Sequence, residues 1–170
     1  VLFYFNIKFF VIKISRFFKA RDSYRRGSDR TISDYVLVHS VEGTYTNVDS
    51  KDPNKSVQLQ SGGHGQKMFD ILKKNNIGYT ITHIFPNDVR AGNVENHVNP
   101  DKRHNGQQLW FLKNWTEKDI LDAGEHVLKL KKNQDAKSGD RIYGMWKGVK
   151  IMVIKSDGKR GTIAPAYDQP

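Results

Sequence analysis

The spacing of turns and apolar residues after residue 140 constrains the fold of this chain more than any other feature. Three short runs there have strand composition, RIYGMW (141–146), VKIMVIK (149–155) and RGTIAP (160–165). Lys147-Gly148 and Asp157-Gly158 separate these runs, and two-residue turns that contain glycine commonly join antiparallel strands. The C-terminal end of the chain is therefore predicted to form a three-stranded β-meander.

Helical patterns come before this meander. Residues 65–76 repeat apolar side chains at helical spacing. A second helix is predicted from Thr116 to about residue 131, because an aspartate follows Thr116 at the spacing of a capping box. Strands are predicted at 79–85 and 89–94 from their composition. Helices that precede a final antiparallel sheet predict an α+β fold.

The regular pattern begins near residue 57, so residues 57–170 are predicted to form the main domain. Residues 31–56 are interpreted as a hairpin with its turn at Glu42-Gly43, followed by a linker. Residues 1–30 are an apolar and basic segment of unassigned role. Lysine and arginine interrupt its apolar runs, so none approaches the roughly 20 residues of a membrane span.

Composition narrows the possible chemistry. The chain has no cysteine, which excludes disulfide scaffolds, cysteine-ligated zinc and thiol nucleophiles. Its formal net charge of +10 favours a polyanionic partner, because cationic side chains that neutralise phosphates release counterions. Arg90, Lys102 and Arg103 are the predicted phosphate contacts.

Two histidines lie where phosphodiester chemistry could occur. His64 follows two glycines and precedes a helix, a setting that lets the backbone approach an anion closely. His97 follows a predicted strand and precedes the basic pair Lys102-Arg103. Imidazole is well suited to proton transfer near neutral pH. His83 shares a strand face with apolar residues and is interpreted as a core or sheet histidine, and His39 lies outside the regular region.

A series of short motifs occurs in an order that resembles the bacterial EndoU nuclease domain, which is common at the C-termini of polymorphic secreted toxins. The resemblance covers roughly residues 57–168. The motifs are Gly62-Gly63-His64-Gly65-Gln66, Val94-Glu95-Asn96-His97, Lys102-Arg103, Gly106-Gln107, the run from Phe111 to Trp115, Asp119-Ile120, Ala123-Gly124-Glu125, Tyr143-Gly144, Lys147-Gly148-Val149, Gly161-Thr162-Ile163 and Pro165.

The resemblance implies an α+β ribonuclease of the barnase–EndoU–colicin–RelE type. Such an enzyme uses two histidines, usually with a lysine, to cleave RNA and leave a 2′,3′-cyclic phosphate. One imidazole removes the 2′-hydroxyl proton, another protonates the leaving 5′-oxygen, and a cation stabilises the pentavalent phosphorus. No metal or other cofactor is implied. A toxin of this kind is secreted or delivered into a target cell, acts on tRNA or other RNA, and is paired with a cognate immunity protein.

Site residues follow from the resemblance by position. His97 matches the second histidine of the family. His64 matches the first in its Gly-Gly-His motif, while His83, fourteen residues before His97, matches the spacing of other branches and remains the alternative. Thr162 matches a threonine that helps to hold the RNA.

The sequence departs from the family pattern in two places. Gln107-Gln108 stands where many relatives have the catalytic lysine, so Lys113 is the suggested replacement and Gln108 a further candidate. Ala164 stands where the wider family has a tyrosine, and Tyr167 follows three residues later. These departures keep an alternative open, an RNA-binding module without catalysis. A metal-dependent HNH-like nuclease is the other alternative, suggested by Asn93, His97 and His104.

Overall fold

The computed structural model describes residues 31–170, except residues 49, 53 and 157–160. The predictions for residues 1–30 and for the turn at Asp157-Gly158 lie outside the described residues. Within this part of the chain, no helix is long and apolar enough to cross a bilayer.

Helices and strands are mixed along the described chain, as predicted for an α+β fold. Their order is α1 (Asp34–Glu42), β1 (Thr44–Thr46), β2 (Gln58–Ser61), α2 (Lys67–Lys74), β3 (Tyr79–Ile84), β4 (Arg90–Val94), α3 (Pro100–His104), β5 (Gln108–Trp110), α4 (Glu117–Lys129), a 3₁₀ turn (Lys131–Asn133), β6 (Arg141–Trp146), β7 (Val149–Ile154) and β8 (Thr162–Pro165).

The strands form three antiparallel sheets, β1-β2, β3-β4-β5 and β6-β7-β8. The last of these is the predicted meander. Lys147 and Gly148 both have positive φ, 47° and 79°, as a type I′ hairpin turn requires. Val149, Ile151 and Val153 alternate on the buried face of β7, so the period-two pattern fixes which face meets the core.

Helix α4 covers this buried face. The predicted capping box is present, since the Thr116 hydroxyl accepts from the Asp119 N–H and the Asp119 carboxylate accepts from the Thr116 N–H. Ile120 and Val127 of α4 belong to the same apolar cluster as the inner residues of the meander. This cluster is the larger part of the core.

A second apolar cluster is formed by residues of helix α2 and of strands β2, β4 and β5, with Ile77. Its buried members are Leu59, Met68, Phe69, Leu72, Ile77, Val94 and Trp110. These residues anchor α2, β4 and β5, the elements next to the loops of His64 and His97.

The predicted hairpin in residues 31–56 is wrong, because residues 34–42 form helix α1. The Ser33 hydroxyl accepts from the Val36 N–H at 3.3 Å and caps the helix, and Gly43, with φ of 90°, ends it. The strand-like composition of this segment is overridden by packing, since Val36 and Val41 both belong to the larger cluster. Strand β1 pairs instead with β2.

Candidate active site

His64 lies in a loop fixed to the last turn of helix α1. The N–H groups of residues 63–65 donate to the carbonyl oxygens of residues 39–41, at 3.0, 2.6 and 3.0 Å. Gly62 and Gly63 have φ of 73° and 70°, a region that favours glycine. A Cβ at Gly62 would lie 2.1 Å from the His39 carbonyl oxygen, so only glycine allows this close approach.

Gln108 supports the same loop from the opposite side. Its side-chain amide donates to the carbonyl oxygens of Gly62 and Gly63, at 3.0 and 2.8 Å. Gln108 is fully buried, and its Oε1 has no hydrogen-bond partner among the described residues. The predicted candidate Gln108 therefore holds the backbone of the loop in place and positions His64 through it.

The ring of His64 presents a free lone pair at Nε2. Its Nδ1 lies 2.7 Å from the Leu109 carbonyl oxygen, and a carbonyl only accepts, so Nδ1 carries the proton when the ring is neutral. The residue is 5% exposed. Burial, and then the charge of Lys102, lower the His64 pKa to about 3. His64 is therefore neutral at pH 7, and Nε2 is the acceptor nitrogen of the neutral ring.

The ring of His97 has the opposite arrangement. The Asn99 N–H donates to His97 Nδ1 at 2.9 Å, so the proton of the neutral ring lies on Nε2. That Nε2 is buried and has no hydrogen-bond partner among the described residues. Burial, followed by the charges of Lys102 and Arg103, lowers the His97 pKa to about 4. The two histidines thus offer one acceptor and one donor.

The backbone around His97 is held by neighbouring elements. Leu59 of β2 accepts from the Val98 N–H at 2.9 Å and pairs with His97 in a parallel bridge. The Arg103 guanidinium donates to the carbonyl oxygens of His97 and Val98, at 3.0 and 3.3 Å. Arg103, a predicted phosphate contact, therefore also braces the His97 loop.

Lys102 on α3 is the cation of this cluster. It is partly buried, and burial lowers its pKa to about 8. Its charge lowers the pKa of His39, His64 and His97. Lys113, the cation suggested from the sequence, is exposed and contributes to none of these shifts. Lys102, and not Lys113, is therefore the lysine whose charge acts on the three histidines.

Thr162, at the start of β8, joins the cluster through His39. Its Oγ1 lies 3.1 Å from His39 Nε2, and His39 Nδ1 lies 2.8 Å from Thr44 Oγ1. The sequence does not predict His39 as a site residue, because it lies outside the regular region that begins near residue 57. The serine cap and the glycine stop of helix α1 are the signals that could have placed His39 correctly.

These groups form one cluster of two oppositely arranged imidazoles, a partly buried lysine and a threonine hydroxyl. A family model described as the bacterial EndoU nuclease matches residues 38–170, which include every member of the cluster. The chain belongs to the bacterial EndoU nuclease family. Membership implies nuclease activity. The chain has no significant match among curated proteins or among solved structures.

The EndoU cluster includes His64 and leaves out His83. His83 lies on the exposed edge strand β3, where its ring packs edge-on against Phe85 at 4.6 Å. It is a sheet histidine, one of the two interpretations given by the sequence, and it is not in the core because every residue of β3 is exposed. The histidines whose charges act on His64 are His39 and His97. The geometry favours His64 as the first EndoU histidine.

The Arg90 side chain contacts other residues of this EndoU chain. Its guanidinium donates to the Phe111 carbonyl oxygen at 2.6 Å and to the Gln66 side-chain oxygen at 3.3 Å, and it lies over the Phe69 ring at 5.0 Å. The residue is 8% exposed. Its predicted role as a phosphate contact is therefore not what the geometry favours, because its donors face the protein.

Tyr167 lies beside the elements that carry the site. Its hydroxyl donates to the Gln107 carbonyl oxygen, just before β5. Burial, and then the negative charge of Asp101, raise the Tyr167 pKa to about 12. The hydroxyl is therefore protonated at neutral pH, and the ring is 52% exposed.

Asn93, His97 and His104, which suggested an HNH-like site, make different contacts. The Asn93 side-chain oxygen accepts from the Gly106 N–H at 2.6 Å, and His104 is exposed at the end of α3. Across the described ranges, no three histidine, cysteine, aspartate or glutamate side chains converge as metal ligands do.

Proposed function

We propose that this EndoU nuclease cleaves RNA by attack of a 2′-hydroxyl on the adjacent phosphorus. The 2′-oxygen forms a bond to phosphorus, the bond to the 5′-oxygen breaks, and the products are a 2′,3′-cyclic phosphate and a 5′-hydroxyl. The observation that carries this proposal is that His64 and His97, beside Lys102, are opposite tautomers. The neutral ring of His64 carries its proton on Nδ1, and that of His97 carries its proton on Nε2.

His64 is the base in this scheme. Its Nε2 lone pair accepts the proton of the 2′-hydroxyl as the nucleophile attacks. The imidazolium that forms keeps its Nδ1–H donation to the Leu109 carbonyl oxygen, 2.7 Å away. This contact fixes the ring throughout the reaction, and the RNA phosphate stabilises the new positive charge.

His97 is the acid. A bound phosphate raises its pKa, because the negative charge stabilises the imidazolium. The second proton is taken at Nδ1, at the expense of the Asn99 contact. The Nε2 proton then passes to the leaving 5′-oxygen, while the ammonium of Lys102 stabilises charge on the phosphorane. One proton is gained at His64 for each proton lost at His97.

The test is incubation of the chain with total tRNA in EDTA, beside His64→Ala and His97→Ala variants. We expect products with cyclic-phosphate ends from the unmodified chain and intact RNA from both variants. Cleavage that disappears in EDTA would favour the metal-dependent alternative. Binding of intact RNA by the unmodified chain would favour the non-catalytic module.

The biological setting is a further part of the proposal. The net charge of +10 and the family's toxin branch support tRNA as the substrate, delivery into a target cell, and a cognate immunity protein. An acidic inhibitor would be attracted to a basic chain. The expected result is that expression is toxic and that the product of a neighbouring gene relieves the toxicity. Toxicity without any such rescue would contradict the pairing.

A further inference from the structure

Tyr35 is an exposed aromatic side chain on helix α1, close to the proposed active site. It is 56% exposed, more than any other tyrosine of the described residues. The EndoU family model begins at residue 38, so Tyr35 lies just outside the matched region. The proposed reaction gives this side chain no role.

The position of Tyr35 follows from the two sides of helix α1. The side that faces the protein carries the buried residues Val36, Ser40 and Val41. Tyr35 and His39 are four residues apart, so they are neighbours on the helix surface. Their rings are parallel within 4°, with 6.5 Å between the centroids. The Tyr35 ring therefore lies on the solvent side of the helix, directly beside His39.

His39 connects this ring to the rest of the cluster. Its Nε2 lies 3.1 Å from Thr162 Oγ1 and its Nδ1 lies 2.8 Å from Thr44 Oγ1, so two hydroxyl groups hold the imidazole. Burial, and then the charge of Lys102, lower the His39 pKa, which shows that the lysine acts on this side of the cluster. An RNA strand whose phosphate meets these groups passes next to Tyr35.

An exposed aromatic ring beside a cationic cluster is suited to an unpaired nucleotide. Proteins that bind single-stranded nucleic acid combine cations, which attract the backbone, with aromatic rings on which bases stack. The formal net charge of +10 supplies the attraction over the whole chain. Since each base has a flat face, stacking of this kind is tolerant of sequence.

We propose that Tyr35 forms a subsite for one unpaired nucleobase of the RNA, which stacks on its ring. This inference rests on the proposed function, because the base belongs to a nucleotide near the bond that is cleaved. Tyr35 exchanges no proton with the substrate. Its contribution is to affinity, so its loss should raise KM and leave kcat unchanged.

A matched set of variants tests the subsite. Tyr35→Phe keeps the aromatic ring, whereas Tyr35→Leu keeps only an apolar side chain. The dissociation constant is measured for a single-stranded RNA whose 2′-hydroxyl at the cleavage site is replaced by hydrogen. We expect an affinity within about two-fold of the unmodified chain for the phenylalanine variant, and roughly ten-fold weaker binding for the leucine variant. Thermal melting checks that each variant folds.

Tyr79→Leu is the control, since Tyr79 is also exposed, at 44%, but lies on strand β3. This variant should bind RNA as the unmodified chain does. Equal losses in the two leucine variants would overturn the proposal. So would a phenylalanine variant that binds as weakly as Tyr35→Leu, because the hydroxyl and not the ring would then make the contact.

A scan with abasic RNA identifies the base. Each RNA lacks one base at a position on either side of the cleaved bond. At one position, loss of the base should weaken binding to the unmodified chain roughly ten-fold and have little effect on Tyr35→Leu, because the stacking partner is already gone. If every missing base weakens binding to both chains equally, stacking on Tyr35 is contradicted.

The same measurements separate failure of the subsite from failure of the ribonuclease proposal. A chain that cleaves RNA, with equal affinities for all Tyr35 variants, would overturn the subsite alone. If the unmodified chain binds RNA without cleaving it, the ribonuclease proposal fails, and the abasic scan with unsubstituted RNA still tests the subsite. An unmodified chain that does not bind RNA would overturn both.

Discussion

The meander and the paired histidine loops are stabilised in different ways. In the meander, apolar residues such as Ile151 and Val153 alternate on one face and pack beneath helix α4. In the loops, buried polar groups replace apolar packing, as His64, His97 and Gln108 are each at most 5% exposed. The first region gains stability from burial of apolar area, and the second depends on satisfied hydrogen bonds.

A buried imidazole or amide costs free energy unless its hydrogen bonds are made. Yet Nε2 of His97 and Oε1 of Gln108 are buried without partners among the described residues. Buried atoms without a hydrogen-bond partner in the described part of the chain also occur beside the meander, at Trp146 Nε1 of β6 and Glu125 Oε2 of α4, so they alone do not single out the histidine loops.

The largest expected effect contrasts the two candidate first histidines. His64→Ala should lower kcat/KM for RNA cleavage by about 10²–10⁴-fold, because it removes the base. His83→Ala should leave kcat/KM unchanged, since this side chain is exposed on β3. Steady-state cleavage of a labelled RNA measures both. A loss of activity confined to the His83 variant would place the site at strand β3 instead.

The second prediction contrasts two lysines. Lys102→Ala should lower kcat/KM by about 100-fold, because a preorganised cation near the phosphorane is lost. Lys113→Ala, a matched control on the exposed surface, should retain full activity. Because Lys102 must be charged and its pKa is about 8, the rate of the unmodified chain should fall above pH 8. A rate that continues to rise through pH 9 would contradict this role.

The third prediction separates stability from activity. Ile151→Ala should lower the free energy of unfolding by about 2–5 kcal/mol, since it opens a cavity under the meander, and leave kcat/KM of the folded protein unchanged. Gln108→Ala should lower the free energy of unfolding by about 1–3 kcal/mol and should also lower kcat/KM, because the loop of His64 loses two hydrogen bonds. Urea unfolding and RNA cleavage are measured on both variants. Equal activity in the two would remove the distinction between the regions.

The smallest expected effect concerns pH and stability. The His64 pKa is about 3 in the folded chain and 6.5 for an unperturbed histidine. Below pH 6.5 the unfolded chain therefore binds a proton that the folded chain does not, so stability is full above that pH and falls as the pH is lowered. Between pH 7 and pH 5 the loss from His64 is about 2 kcal/mol. A His64→Gln variant should show a smaller decline in urea unfolding; an identical decline would contradict the assigned pKa.

Local signals explain which parts of the molecule the sequence predicts. The capping box at Thr116 and the turn at Lys147-Gly148 act within a few residues, so α4 and the meander follow from them directly. The glycines before His64 likewise indicate a loop that approaches a ligand. These features need no knowledge of the rest of the chain.

The remaining site residues depend on contacts distant in the chain. Lys102 belongs to the cluster because its charge acts on His64, and no local spacing in the sequence reveals this effect. His39 meets Thr162 across 123 residues. Its segment has strand-like composition, which the Ser33 cap, the Gly43 stop and packing against the larger apolar cluster override. Tertiary contacts therefore decide the part of the site that the sequence left open.

The most direct test of the proposed chemistry is the protonation of the two histidines, measured by ¹⁵N NMR of the histidine rings with assignment by single variants. At pH 7 we expect His64 to be neutral with its proton on Nδ1, and His97 to be neutral with its proton on Nε2. Both should stay neutral at pH 5.5, because their pKa values are about 3 and about 4. The same tautomer in both rings, or titration of either ring near pH 6.5, would contradict the assignment of His64 as base and His97 as donor.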